Sequence, residues 1–179
     1  MAEFELQFSA SEIEALAARF GYTDDSRLLA LGADARSRGY YTRGEFIDVC
    51  AWKTPRSRAR VAANSRRAVV SRTAQALAAV GESERITPLL ELHGVGVPTA
   101  STLLYFAFPH DYPILDVRAL ESLGVRSRST YPVSFWLCYL DACRDLARVH
   151  GVSVRTLDKT LWQHSKERSP GRKHHARGR

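Results

Sequence analysis

The amino-acid sequence predicts an all-α protein, a compact bundle of about eight to nine short helices. Apolar residues recur at three- and four-residue spacing along most of the chain, and the period-two alternation of a β-strand never lasts more than four residues. Polar residues typical of helix N-caps precede many of these apolar segments. With 179 residues, of which 45% are hydrophobic and 25% charged, the chain is long enough to bury one core.

Capping residues mark the helix boundaries in chain order. The predicted helices have these N-caps: Ser9, Thr23 or Asp25, Thr42, Ser83, Asp116 and Ser153. Ser9 and Thr42 are each followed three residues later by glutamate, which is the pattern of a capping box. Pro55 ends the third helix, because proline disfavours helical backbone at the residue before it. The basic segment 61–80 and the largely apolar segment 131–151 each predict one helix.

These patterns predict a single helical domain over residues 1–166 and a basic, disordered tail over 167–179, where apolar residues are scarce. No apolar run approaches the length of a membrane span, and the acidic start MAEFELQF is unlike a signal peptide. Three cysteines without metal-ligand spacing favour buried thiols and no iron–sulfur cluster. The predicted location is the cytoplasm, with nucleoid association in a bacterial cell.

The net charge of +7 is unevenly distributed. Residues 1–48 carry nine acids against five arginines, whereas 49–81 contain seven basic residues and no acid. Segregated positive charge is typical of proteins that bind polyanions. The basic residues expected to face DNA are Arg56, Arg58, Arg60, Arg66 and Arg67. The alternative for this block is a solvated helix face.

The segment LHGVGVPTA at 92–100 places two glycines, Gly94 and Gly96, between two predicted helices. Glycines permit positive φ and close backbone approach, and Pro98 suits the first turn of the following helix. Free backbone N–H groups beside a helix N-terminus can bind a phosphate oxygen without reading base sequence. An ordinary corner between two helices is the alternative.

Asp116 follows Gly96 by 20 residues, within the segment YPILDVRAL. It is expected to cap the next helix, and an ion pair with Arg118 is a second structural interpretation. A carboxylate at a helix N-terminus is favoured in its ionised form.

Together, LHGVGVPTAS and PILDVRAL resemble the helix-hairpin-helix DNA glycosylases, the superfamily of endonuclease III and the adenine mismatch glycosylases. The resemblance covers about 35 residues, with a looser similarity of FIDVCAWKTPRSR at 46–58 to the segment that lines the family's base pocket. It implies two helical lobes with a cleft that receives a flipped, damaged base, and it implies Asp116 as the catalytic carboxylate, which stabilises the oxocarbenium-like sugar. The resemblance assigns DNA-backbone binding to Leu92, His93, Gly94, Val95, Gly96 and Thr99, and a base pocket to Tyr41, Trp52 and Lys53.

The chain departs from the family pattern at informative positions. Pro98 occupies the position where strand-cleaving members carry a nucleophilic lysine, so the sequence predicts a monofunctional glycosylase without β-lyase activity. His93 replaces a common proline, and Arg118 stands where many members have histidine or asparagine. No cofactor is predicted beyond K⁺ or Na⁺ at the hairpin carbonyls, and the expected partner of a monomeric protein is DNA. A catalytically inactive DNA-binding module is the alternative.

Overall fold

The computed structural model describes residues 4–22 and 25–169, and these residues form ten α-helices and no strand. The helices are α1 (Ile13–Ala18), α2 (Ser26–Arg38), α3 (Arg43–Lys53), α4 (Arg58–Ala62), α5 (Arg66–Ala78), α6 (Glu82–Leu90), α7 (Val97–Ala107), α8 (Val117–Ser122), α9 (Val133–Val149) and α10 (Val154–Arg168). The predicted all-α class is confirmed.

The capping boxes at Ser9 and Thr42 both form: each hydroxyl accepts a backbone N–H, and the glutamate three residues later accepts the N–H of the cap. α3 ends at Lys53, immediately before Thr54 and Pro55, as predicted.

Three boundary predictions were wrong. The basic segment forms two helices rather than one, because the chain turns at 63–65 and Ser65 caps α5 by accepting the N–H of Ala68. Ser83 lies inside α6, whose N-cap is Gly81. α10 continues to Arg168, so residues 167 and 168 belong to the folded domain. Thr23 and the remainder of the predicted tail, 170–179, lie outside the described residues.

The helices pack as two groups around one continuous core. Helices α2 to α7 form the first group, while α1, α8 and α9 pack with α10 in the second. α7 is the central element of the first group, and all of its side chains except Pro98 are buried. Gly32 lets α2 and α7 meet closely, because a Cβ at this position would lie only 2.0 Å from the carbonyl oxygen of Phe106 in α7.

Candidate functional site

A small cavity lies where the two groups of helices meet. Its lining comes from the segment after α1, the end of α3, the start of α8 with the residues before it, and α10. The lining residues are Phe20, Tyr22, Trp52, Lys53, Ile114, Asp116, Ala119, Arg155, Asp158 and Trp162. The cavity volume is about 40 Å³, which has room for water but not for a purine or pyrimidine ring.

Asp116 lies at this cavity, and both of its carboxylate oxygens have partners. Oδ1 accepts the backbone N–H of Arg118 at 2.9 Å, which confirms the predicted N-cap of α8. Oδ2 accepts a hydrogen bond from Lys53 Nζ at 2.5 Å, in an ion pair whose side chains are 11% and 12% exposed. The guanidinium of Arg118 is placed over the ring of Trp162 and donates to Ser165 Oγ at 3.4 Å.

Three buried hydrogen bonds hold the extended segment that leads into Asp116. Ser101 Oγ, on α7, accepts the backbone N–H of Leu115 at 3.0 Å. Ile114 donates its N–H to Asp158 Oδ1 and accepts the Tyr139 hydroxyl through its carbonyl oxygen, both at 2.9 Å. Helices α7, α9 and α10 therefore position the carboxylate jointly.

Asp158 is a second carboxylate of the same cavity, and no sequence pattern predicted its presence there. Burial raises its pKa to about 6, although the nearby guanidinium of Arg155 acts in the opposite direction. Arg155 donates to Asp158 at 3.3 Å and to Asp25 at 2.5 Å. No sequence signal identified this network, because Asp25 lies 130 residues before Arg155 along the chain.

Aromatic rings form much of the remaining cavity lining. Tyr22 packs edge-on against both Trp52 and Trp162, with ring centroids 5.1 Å apart in each case. Phe20 packs edge-on against Trp162 at 5.3 Å. Burial raises the pKa of the Tyr22 hydroxyl, and the charge of Asp116 adds to the effect. Trp52 and Lys53, both predicted from the sequence to line a pocket, lie at this cavity.

Tyr41, the third predicted pocket residue, is part of the core instead. It is 1% exposed, and its hydroxyl donates to the carbonyl oxygen of Leu103 at 2.8 Å. Its backbone N–H donates to Thr73 Oγ1. The prediction failed because a tyrosine before a helix cap can point inward as readily as outward, and only packing decides which.

The glycine hairpin forms between α6 and α7. Gly94 has φ of 79°, the left-handed region that favours glycine. A Cβ at this position would lie 3.0 Å from both the Cβ of Arg60 and Cγ1 of Val61, so the hairpin backbone lies directly against α4. Gly96 is extended and caps α7.

Asn64 fixes the hairpin from the turn between α4 and α5. Its amide nitrogen donates to the carbonyl oxygen of His93, and its amide oxygen accepts the N–H of His93, both at 2.9 Å. Arg43 holds the same turn by donating to the carbonyl oxygens of Asn64 and Ala62. Neither residue was predicted from the sequence, since neither belongs to a recognisable motif.

The predicted backbone-binding residues divide into two sets. His93 and Gly96 are exposed, whereas Leu92, Val95 and Thr99 are 3%, 8% and 6% exposed and belong to the interior. The N–H of Thr99 donates to the carbonyl oxygen of Gly96, so it helps to close the first turn of α7. The outward part of the hairpin is thus its backbone around the two glycines.

The predicted basic residues are all exposed. Arg60, Arg66 and Arg67 are exposed and flank the turn that carries Asn64. Arg58 is exposed too and lies 3.9 Å from Asp48. Arg56 is exposed as well, and of these residues Arg60 lies against the hairpin at Gly94.

Of the cysteines, Cys50 and Cys143 are buried as expected, but Cys138 is exposed. Within residues 4–22 and 25–169, no cluster of three or more His, Cys, Asp or Glu side chains is arranged to hold a metal ion. None of the helices in these ranges is long and apolar enough to cross a membrane.

Comparison with family models, curated proteins and solved structures finds no match to this chain. The functional interpretation therefore depends on the motif and on the geometry of the site.

Proposed function

We propose that the protein binds DNA through its helix-hairpin-helix motif and acts as a DNA N-glycosylase that removes a damaged, flipped base. The observation that carries the proposal is the position of Asp116: a capped, ion-paired carboxylate at an aromatic-lined cavity between two groups of helices. A carboxylate held at a site of developing positive charge stabilises the oxocarbenium-like transition state of glycosidic cleavage.

In this reaction Asp116 faces the deoxyribose and orients a water molecule toward C1′. Lys53 and the N-terminus of α8 favour the ionised carboxylate, which is the form that stabilises a cationic sugar. The rings of Trp52 and Trp162 offer faces on which a flipped base can stack once Tyr22, which lies between them, moves aside. Opening of this aromatic cluster has to accompany base entry, because the cavity is smaller than a base.

DNA is held mainly through its backbone. The hairpin supplies backbone N–H groups near the N-terminus of α7, and the exposed arginines of α4 and α5 supply charge beside it. Such contacts are largely independent of base sequence and strongly dependent on salt. A monomer with K⁺ or Na⁺ at the hairpin carbonyls and no other cofactor is part of the proposal.

The test is excision from a panel of duplexes, each with one base lesion, followed by alkali to cut the abasic sites. Asp116→Asn should lower excision by about a hundredfold or more while DNA binding persists. Asp145→Asn is the matched control, because Asp145 is an exposed carboxylate of α9 that pairs with Arg148. Equal excision by the Asp116→Asn variant would refute the catalytic role.

The small cavity volume and the engagement of Asp116 by Lys53 favour one second candidate, a DNA-binding module without catalysis. This candidate predicts salt-dependent DNA binding that is indifferent to Asp116→Asn, with no excision from any lesion duplex. Absence of DNA binding at low salt would remove both candidates.

A further inference from the structure

A second and larger cavity is a groove between α2 and α10, whose third wall is the end of α7 with the turn that follows it. Its volume is about 410 Å³, against about 40 Å³ for the central cavity, and it falls within the range of sites that bind small molecules. Its apolar lining consists of Leu29, Ala33, Phe106, Ala107 and Pro109. Leu29 and Ala33 are four residues apart, so they lie on one face of α2.

Positive charge dominates the polar part of this groove. The described lining residues include three permanent cations and one carboxylate, which are Arg36, Arg155, Lys159 and Asp25. Arg155 is already engaged, because it pairs with Asp25 at 2.5 Å and with Asp158 at 3.3 Å. In the described part of the chain, Arg36 and Lys159 instead lie over aromatic rings and form no ion pair with a carboxylate. The groove therefore has two positive charges that an anionic ligand can neutralise.

These two cations differ in their exposure to water. Lys159 is half-buried, whereas Arg36 is exposed. Water and salt screen a partly buried charge less than an exposed one, so Lys159 is the stronger candidate for a direct contact with an anion. Arg36 adds attraction at longer range.

Tyr105 contributes a buried hydrogen-bond donor to the lining. Its side chain is 0% exposed, and its hydroxyl completes no hydrogen bond of normal geometry with a described residue. Burial raises the pKa of this hydroxyl, so it keeps its proton at neutral pH. The charges of Arg155 and Asp25 also act on it, which places the donor near their ion pair. A polar atom of a ligand, or a water that bridges to one, would satisfy this donor.

We propose that this groove binds a small organic anion with an apolar body and one carboxylate or phosphate group. The apolar lining between α2 and the turn after α7 contacts the body, and Lys159 pairs with the anionic group. The proposal goes beyond the proposed function, since it involves neither DNA nor chemistry at Asp116.

The experiment is isothermal titration calorimetry of the full chain with three probes that share one body. The anions are 2-naphthoate and 2-naphthyl phosphate, which distinguish a carboxylate from a phosphate ligand, and the uncharged probe is 2-naphthamide. We expect saturable binding of at least one anion. The amide should bind about tenfold or more weakly, because it cannot form a charge-assisted hydrogen bond with Lys159.

Two variants locate the site, each with a matched control. Lys159→Gln should weaken anion binding by about tenfold or more but leave the affinity for the amide unchanged. Arg148→Gln removes a cation from the exposed pair on α9 and should have no effect. Ala33→Phe fills the groove without removing a charge, so it should abolish binding of all three probes. Ala30→Phe makes the same change at an exposed position of α2 outside the lining and should leave binding unchanged.

Absence of binding by both anions, or equal affinity for the amide, overturns the inference. So does an anion affinity that neither Lys159→Gln nor Ala33→Phe alters. Nitrogen–proton correlation spectra of the wild-type protein decide the case if a variant folds poorly. Shifts on addition of the anion should concentrate at Ala33, Ala107 and Lys159, and shifts confined to other residues would refute the site. Asp116→Asn should bind the anion as the wild-type protein does, so this inference and the glycosylase proposal can fail separately.

Discussion

Replacing Gly94 with alanine tests whether the hairpin backbone is held rigidly against α4. Positive φ costs an L-residue about 1–2 kcal/mol. The new Cβ would also lie 3.0 Å from side-chain atoms of Arg60 and Val61, and overpacking of this kind costs about 1–3 kcal/mol. After an offset of about 0.5 kcal/mol for the reduced freedom of the unfolded chain, we expect Gly94→Ala to lower the free energy of unfolding by about 1.5–4.5 kcal/mol.

Two other glycines serve as comparisons that separate the backbone cost from the packing cost. Gly39 has φ of 88°, but a Cβ added there would have no neighbouring atom within 4 Å, so Gly39→Ala should show the backbone component alone, about 1 kcal/mol. Gly44 lies in α3 with open space around it. Gly44→Ala should therefore stabilise the protein, by up to about 1 kcal/mol.

The assay is urea unfolding followed by tryptophan fluorescence, since Trp136 is fully buried and reports the core. Variants are compared only where the slope of unfolding free energy against urea concentration is equal, so that differences in urea midpoint reflect differences in stability. DNA affinity is measured at one salt concentration on the same variants, and Gly94→Ala should weaken it more than Gly39→Ala does. If Gly94→Ala costs no more stability than Gly39→Ala, the contact with α4 does not constrain the hairpin.

Three further predictions concern the supports of the site. Ser101→Ala leaves the buried N–H of Leu115 without its acceptor, so it should lower the free energy of unfolding in urea titrations by about 1–3 kcal/mol. It should also lower excision, and unchanged excision would contradict the role of Ser101 in positioning Asp116. Asn64→Ala removes both bonds to the His93 backbone and should weaken DNA binding measured by fluorescence anisotropy, whereas unaltered affinity would show that the hairpin holds its shape without them. Burial raises the pKa of Asp158 from 3.8 to about 6, so the folded protein binds the proton of this carboxyl group more tightly than the unfolded chain does. The free energy of unfolding should therefore fall as pH rises from about 4 to about 6. The fall should be on the order of 3 kcal/mol in the wild-type protein and absent from the Asp158→Asn variant, as measured by urea midpoints across this pH range. Equal pH profiles of the two proteins would contradict the prediction.

Local signals were sufficient to predict the all-α class, the capping boxes and the N-cap role of Asp116. The class depends on apolar residues three and four positions apart. The caps depend on residues three or fewer positions apart, and the same backbone geometry recurs wherever such residues meet. The helix boundaries in the basic segment 61–80 were harder to predict. Its apolar spacing continues through the turn at 63–65, so periodicity alone does not reveal that Ser65 begins a new helix.

The candidate site could be predicted only in part, because most of its contacts are long-range. Lys53 and Asp116 were both selected from the sequence, but their pairing joins residues 63 positions apart. Asp158 belongs to an ordinary amphipathic helix and becomes notable only when α10 packs against the segment before Asp116. Tyr41 shows the opposite error, since an aromatic residue near a cap has no sequence feature that distinguishes a pocket from a core.

The structure connects the hairpin to both members of the central ion pair. Gly94 leads into α7, where Ser101, seven residues later, holds the backbone next to Asp116. Gly94 also lies against Arg60 of α4, which follows Lys53 by seven residues. Both connections are short and run through helices or buried hydrogen bonds. A phosphate bound at the hairpin would therefore be set at a defined distance from Lys53 and Asp116. A loosened hairpin should accordingly impair chemistry at the cavity as well as DNA affinity, because positioning errors of about 1 Å are enough to slow a reaction severely.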